Sequence, residues 1–171
     1  MIVGCMSEER KEKQEWVLSI DVGTIKSGYC LIEKETYKPI NFGKIDNIEL
    51  LKIIKEEKYN ILIYEEFASY GMSIGESTIT SITWNGRYIQ SALDRGIEYF
   101  PIFRREEKIN LCGTMKAKDT NIRQALIDRF GIVGTKKNPG WFYGFAGDIW
   151  SAYAVGVTYL DKMKNGETKI K

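Results

Sequence analysis

Three acidic residues stand where a carboxylate is expensive. Asp21 ends the apolar run Trp16-Val17-Leu18-Ser19-Ile20, Glu65 ends Ile61-Leu62-Ile63-Tyr64, and Asp148 opens Ile149-Trp150-Ser151-Ala152. A charge at the end of a buried strand costs on the order of several kcal/mol unless a cation compensates it. Three carboxylates about 5 Å apart would repel by roughly 3 kcal/mol per pair at an effective dielectric near 20, so such a cluster needs cations. Oxygen-only ligation selects hard ions, Mg²⁺ or Mn²⁺, and a pair of them about 3.5–4 Å apart is the arrangement that hydrolyses phosphodiesters. The chain contains no histidine, which removes Ser-His-Asp and Cys-His catalysis and every histidine-ligated metal site.

Each acid also has a plainer reading. Asp148 is a good helix N-cap, worth about 1 kcal/mol, and a glutamate at a strand end is commonly a solvent-facing charge. Because strand side chains alternate faces, Glu65 and Glu66 point to opposite sides of their sheet and only one can join Asp21. Both faces are apolar, with Ile61 and Ile63 on one and Leu62 and Tyr64 on the other, so the pattern alone leaves that choice open.

The elements that must position these acids follow from periodicity. Strands are expected at Trp16–Asp21, Gly28–Glu33 and Ile40–Ile45, forming an antiparallel meander. Asp46 caps a helix from Ile48 to about Lys55, and Ile61–Glu66 is a buried strand parallel to the first, reached through that helical crossover. Residues 75–95 take a helical period through Ile79, Ile82, Gly86, Ile89 and Leu93, with Gly96 as the stop. Glu98–Phe103 reads as a strand and Thr120–Phe130 as a helix. Residues 131–147 read as loop, and Asp148 opens a last helix through Ile149, Ala152, Tyr153, Gly156 and Leu160. The result is one α/β domain over residues 15–165, with polar tails at 1–14 and 166–171.

The 171 residues carry a net charge of +2, with 43% apolar content sufficient for one substantial core. The charge is unevenly spread: residues 1–100 hold 12 Lys and Arg against 16 Asp and Glu, whereas 101–140 hold nine against four. Arg104 through Lys137 is therefore the expected contact with a polyanion. Cys5, Cys30 and Cys112 are odd in number and far apart, as suits reduced thiols. No run approaches the roughly 18 apolar residues of a membrane span, and the first residues lack a signal-peptide core, so a cytoplasmic protein is expected.

Several blocks together resemble the phage-type RuvC-like Holliday junction resolvases of the ribonuclease H-like nuclease superfamily. They are Ser19-Ile20-Asp21-Val22-Gly23-Thr24 with Gly28, Ile63-Tyr64-Glu65-Glu66-Phe67-Ala68-Ser69-Tyr70-Gly71-Met72, and Trp84-Asn85-Gly86-Arg87. Leu111-Cys112-Gly113 follows, then Ala117-Lys118-Asp119-Thr120-Asn121-Ile122-Arg123-Gln124-Ala125-Leu126, Gly134-Thr135-Lys136-Lys137-Asn138-Pro139-Gly140 and Gly147-Asp148-Ile149-Trp150-Ser151-Ala152. The set spans residues 16 to about 160.

The resemblance implies a ribonuclease H-like fold with a five-stranded mixed sheet flanked by helices, a homodimer, and an acidic cluster binding two Mg²⁺ or Mn²⁺ ions. It selects Glu65 over Glu66 and makes Asp21, Glu65 and Asp148 the metal ligands. It implies cleavage of four-way junctions or related branched DNA to leave 5′-phosphate ends, inside a bacterial cell and from a phage or prophage gene. Many members of the wider family carry a fourth acid where this chain has Ser151, which makes Glu66 and Asp119 candidate additional acids. Lys118 and Arg123 are the candidates for gripping phosphate near the cut, with Arg104, Arg105, Lys108, Lys116, Lys136 and Lys137 as a broader footprint.

Two other readings compete. With Ser151 at that position, the same fold could bind branched DNA without cutting it. Asp21-Val22-Gly23-Thr24 with Gly28 also resembles the phosphate loop of sugar kinases and actin-like ATPases, although those need a second Asp-Gly loop that this sequence lacks. The aromatic loop Trp141-Phe142-Tyr143-Gly144-Phe145 has two roles open to it, stacking on unpaired bases or covering the core. The apolar face of the 75–95 helix likewise has two, a dimer interface or the monomer interior.

Overall fold

A computed structural model describes residues 15–167, so the expected tail at 1–14 and all but the first two residues of the one expected at 166–171 lie outside the described residues. The chain builds β1 (Trp16–Asp21), β2 (Lys26–Glu33), β3 (Pro39–Asp46), α1 (Asn47–Glu56), β4 (Ile61–Glu66), α2 (Glu76–Leu93), β5 (Glu98–Phe103), α3 (Arg104–Cys112), α4 (Asp119–Phe130) and α5 (Asp148–Lys164). The strands form one five-stranded mixed sheet in the order β3-β2-β1-β4-β5. β1, β2 and β3 pair antiparallel as a meander, and β4 joins β1, and β5 joins β4, in parallel. Pro39 and Pro101 both fall on edge strands, where a missing N–H disrupts no ladder.

Each central strand feeds two cores because its faces alternate. Val17, Cys30, Ile32, Ile63 and Ile102 pack under α4 and α5 together with Ile122, Leu126, Tyr153 and Val157. Leu18, Ile20, Leu31 and Leu62 pack under α1 and α2 with Leu50, Ile54, Tyr88 and Ala92. Coverage on both sides explains why β1 and β4 read as continuous apolar runs.

α5 lies directly on β1 and β2. A Cβ at Gly156 would stand 2.4 Å from Ile32 Cδ1 and 2.8 Å from Ser19 Oγ, so only glycine lets the helix sit this close.

Two features differ from the sequence expectations, and the facing of α2 answers a question the sequence leaves open. α3 was not expected: its sequence, Arg-Arg-Glu-Glu-Lys-Ile-Asn-Leu-Cys, shows no apolar stripe, and the one fully buried residue it contributes is Glu107. The cap of α1 carries no side-chain bond from Asp46. The neighbouring Asn47 is buried instead, accepting from Ser27 Oγ at 2.7 Å and donating to Gly23 O at 3.0 Å. The face of α2 turned inward is Ser81, Asn85, Tyr88 and Ala92, while Ile79, Ile82 and Leu93 are exposed.

The aromatic loop divides. Phe142 and Phe145 are buried and pack edge-to-face with Tyr153. Trp141 stacks on Phe130 and donates through Nε1 to Tyr153 at 3.2 Å. Tyr143 alone of these rings faces outward.

Candidate active site

Asp21 and Glu65 come together because β1 and β4 run parallel in register. Ser19 lies beside Ile63 and Ile20 beside Tyr64, so the next step along both strands sets Asp21 beside Glu65. Both share the parity of Val17, Ser19 and Ile63, the face covered by α5. Glu66 has the opposite parity and is engaged there: it accepts from Phe67 N–H at 3.1 Å and from Tyr64 OH at 3.3 Å. The candidate additional acid at Glu66 is thereby turned away from Asp21.

The strand end carrying Asp21 is braced by its own turn. Gly23 N–H donates to Ser27 Oγ at 3.2 Å, and Asn47 ties Ser27 back to Gly23. Asp21 pairs across β2 with Gly28. A Cβ at Gly28 would stand 2.5 Å from the carbonyl oxygen of Asp148, so this glycine is what allows the start of α5 to close over the strand end.

Asp148 is the first residue of α5 and not its cap, which is Gly147 at φ 45°. In the first turn its carboxylate lies at the positive end of the helix dipole. Lys44 of β3 reaches it, with Nζ 2.6 Å from Oδ2.

The acids feel one another. Burial, then Glu65, then Asp148 push the Asp21 carboxyl up to about 7, against weaker opposition from Arg104 and a hydrogen bond from Ser151. Burial also raises Glu65, with Arg104 opposing it.

Two groups in this neighbourhood were not singled out as part of the acid cluster. Glu107 is wholly buried, and burial followed by the charge of Glu65 pushes its carboxyl up to about 9. Arg104, expected on the DNA-facing surface, is half-buried. It donates to Glu107 Oε2 at 2.9 Å and pairs with Asp119. Asp119 is itself largely solvent-exposed, so this candidate additional acid sits on the rim.

A cleft of about 310 Å³ beside the acids is lined by Arg104, Asp119, Ile122, Arg123, Asp148, Trp150 and Ser151. It shares Asp119 and Thr120 with a shallow depression bordered by Lys108, Lys116 and Lys118. Arg123 lies over the Trp150 ring, 4.8 Å from its centroid. Arg105, Lys136 and Lys137 are exposed.

Among the described residues, no three acidic or cysteine side chains stand close enough together to hold a metal ion as they are placed. The donor set still suits a hard cation. It is all oxygen, it concentrates negative charge at one buried strand end, and Lys44 and Arg104 already supply positive charge to it.

No protein-family model matches the sequence, and no curated protein matches it. Solved structures do. Thermus thermophilus RuvC superposes with a TM-score of 0.68 at 14% identity, covering 90% of this chain and 98% of that one. T. thermophilus RuvC in complex with Holliday junction substrate gives 0.67 at 14% identity over 91% and 98%. The yeast mitochondrial Holliday junction resolvase Ydc2 gives 0.61 at 14% identity over 90% and 82%. The chain therefore has a RuvC-like fold, a ribonuclease H-like architecture. Among the described residues, no helix is long and apolar enough to cross a membrane.

Proposed function

We propose that this protein is a metal-dependent endonuclease that cuts four-way DNA junctions or related branched DNA, leaving 5′-phosphate ends. The observation that carries the reading is the convergence of Asp21, Glu65 and Asp148 from β1, β4 and α5 at one end of a RuvC-like sheet, with Asp21 raised to about 7 by burial and the other two carboxylates. Such tuned acids, next to an Asp148 that lines a cleft, mark a site of chemistry.

Asp21, Glu65 and Asp148 would hold Mg²⁺ or Mn²⁺. A pair of these ions supplies Lewis acidity that activates water and neutralises charge on the departing 3′ oxygen. The chain's own residues do the rest. Asp21 and Glu65 fix the cluster on the rigid sheet, and Ser151 favours the charged form of Asp21. Lys44, half-exposed beside Asp148, is free to turn from that carboxylate to an incoming phosphate. Arg123, Lys118, Lys116 and Lys108 line the path from the cleft and would steer the backbone of the substrate.

A homodimer fits the same reading. Ile79, Ile82 and Leu93 form an exposed apolar stripe along α2, while the helix buries polar Ser81 and Asn85 inside. Two sites in one symmetric dimer would make paired cuts across a junction.

The test is cleavage of a labelled synthetic four-way junction, beside a linear duplex and a fork with the same arms, by wild type and Asp21→Asn in Mg²⁺ or Mn²⁺. Paired cuts in the junction that vanish in Asp21→Asn are expected. Equal cutting of fork and junction would widen the substrate to branched DNA in general. Tight binding without cutting in either metal would overturn the catalytic reading in favour of a junction-binding protein.

A further inference from the structure

Glu107 is the acid that the proposed mechanism leaves without a task. Its side chain is 0% exposed. One oxygen, Oε2, accepts from Arg104 at 2.9 Å. The other, Oε1, has no hydrogen-bond partner among the described residues. A buried carboxylate oxygen left unsatisfied is among the more costly features a fold can carry. Apolar side chains of similar size would fill the same space without that cost.

The orphan oxygen belongs to a carboxylate within electrostatic reach of the cluster. Besides Arg104, the charges acting on Glu107 are those of Glu65 and Asp21. Arg104 in turn feels Glu107, Glu65 and Asp119 together. The guanidinium is thus a cation set among carboxylates at the place where the site calls for positive charge. Neither other candidate matches Glu107: Glu66 is engaged on the opposite face of β4, and Asp119 is 81% exposed.

We infer that Glu107 is a fourth carboxylate of the active site, its free Oε1 a ligand position for a divalent cation, and that Arg104 is the internal cation holding that place until one binds. This inference rests on the nuclease reading and extends it to a helix whose sequence shows no sign of a site. On binding, Arg104 would yield Glu107 while keeping Asp119 as its partner.

The experiment is calorimetric titration of the EDTA-treated full chain with Mn²⁺, comparing wild type with Asp21→Asn, Glu107→Gln, Glu107→Asp and Glu66→Gln. Glu107→Gln should weaken Mn²⁺ binding about 10-fold or more, or remove one of two bound ions, on the scale seen when a metal loses a supporting group. Glu107→Asp should fall between it and wild type, and Glu66→Gln should bind as wild type. Melting of each variant in EDTA reports its fold, and Glu107→Gln, which keeps the side chain's shape and an oxygen that can accept from Arg104, should still melt cooperatively. Wild-type Mn²⁺ affinity and stoichiometry in Glu107→Gln, with loss in Asp21→Asn, would overturn the role of Glu107 and leave the nuclease reading intact. Absence of Mn²⁺ binding in the wild type would overturn both.

Discussion

Gly28 and Asp148 meet backbone to backbone: a Cβ on residue 28 would stand 2.5 Å from the Asp148 carbonyl oxygen and 2.9 Å from its Cβ. Since Gly28 also pairs with Asp21 across β1 and β2, this one contact sets the spacing between two of the proposed ligands. Gly28→Ala must push the start of α5 away from the sheet. Displacements near 1 Å at a reacting centre cost about 100-fold in rate. Gly28→Ala is therefore expected to keep its circular dichroism spectrum and junction affinity while losing about 100-fold in cleavage. Gly86→Ala, with nothing within 4 Å of its new Cβ, should cut as wild type does.

The buried acids predict an unusual pH dependence for the metal-free protein. Asp21 is raised to about 7 and Glu107 to about 9, both above the ordinary carboxylate range. Below about pH 3 both are protonated in the folded and unfolded chains, and they contribute no difference. As pH rises, the unfolded chain releases these protons first, so the folded state binds more protons and its stability falls, for Asp21 up to about 7 and for Glu107 up to about 9. Urea unfolding in EDTA should show stability declining from pH 5 to pH 9. Asp21→Asn should flatten the lower part of that decline and gain on the order of 2 kcal/mol at pH 8. Adding Mn²⁺ to the wild type should restore stability at high pH by binding the folded state. A stability that rises across this range would refute the buried, mutually repelling cluster.

Much of this architecture was legible because it rests on apolar periodicity. β1, β4 and α5 are defined by runs that bury two faces or one stripe, and the three acids stand at the ends of those runs. The pattern leaves Glu65 and Glu66 undistinguished, since both faces of β4 are apolar; which of them shares a face with Asp21 follows from the register of β4 on β1, a long-range property. α3 was missed for a physical reason. The residue it buries fully is charged, so its inward face looks polar in the sequence, and Glu107 and Arg104 read as surface charge. The facing of α2 was open for the converse reason. Its apolar stripe fits an interface or an inward face equally in the sequence, and tyrosine, alanine and two hydrogen-bonding residues fill the interior and leave isoleucines outside.

Facing separates the two glutamates of β4. Glu65→Gln removes a carboxylate from the side of the sheet that holds Asp21, and junction cleavage should fall about 100- to 1,000-fold, as when a transition-state charge stabiliser is lost. Glu66→Gln alters only the contacts with Phe67 N–H and Tyr64 OH. It should cost about 1 kcal/mol or less in stability and leave cleavage near wild type. Steady-state kinetics on one junction, with urea unfolding of both variants, would separate the two. Equal losses would mean that the parity of β4 does not govern the site.

The exposed stripe on α2 sets a test of assembly. Ile79 is 56% exposed and Ile82 is 40%. A charge at these positions leaves the monomer core untouched. Ile79→Glu with Ile82→Glu should shift the mass measured by light scattering from dimer to monomer while the melting profile stays cooperative. A wild-type protein that is monomeric at micromolar concentration would remove α2 as an interface.

The basic segment between α4 and α5 can be separated from the chemistry by its salt dependence. Lys136 and Lys137 are exposed at a turn closed by the Gly134–Pro139 bridge and by Thr135 N–H donating to Asn138 O at 2.9 Å. They contribute no ligand to the acid cluster. If both contact phosphate, the double variant Lys136→Gln, Lys137→Gln should weaken junction binding and lower the steepness of log K against log salt by about 1.8, at about 0.9 per duplex phosphate contact. Single-turnover cleavage of saturated junction should stay within about 3-fold of wild type, because transition-state contacts are untouched. An unchanged salt slope with weaker binding would show that these lysines act through the shape of the turn and not as phosphate contacts. An unchanged slope with unchanged binding would place the DNA path along Lys108, Lys116 and Lys118 alone, on the side of the cleft nearer α3.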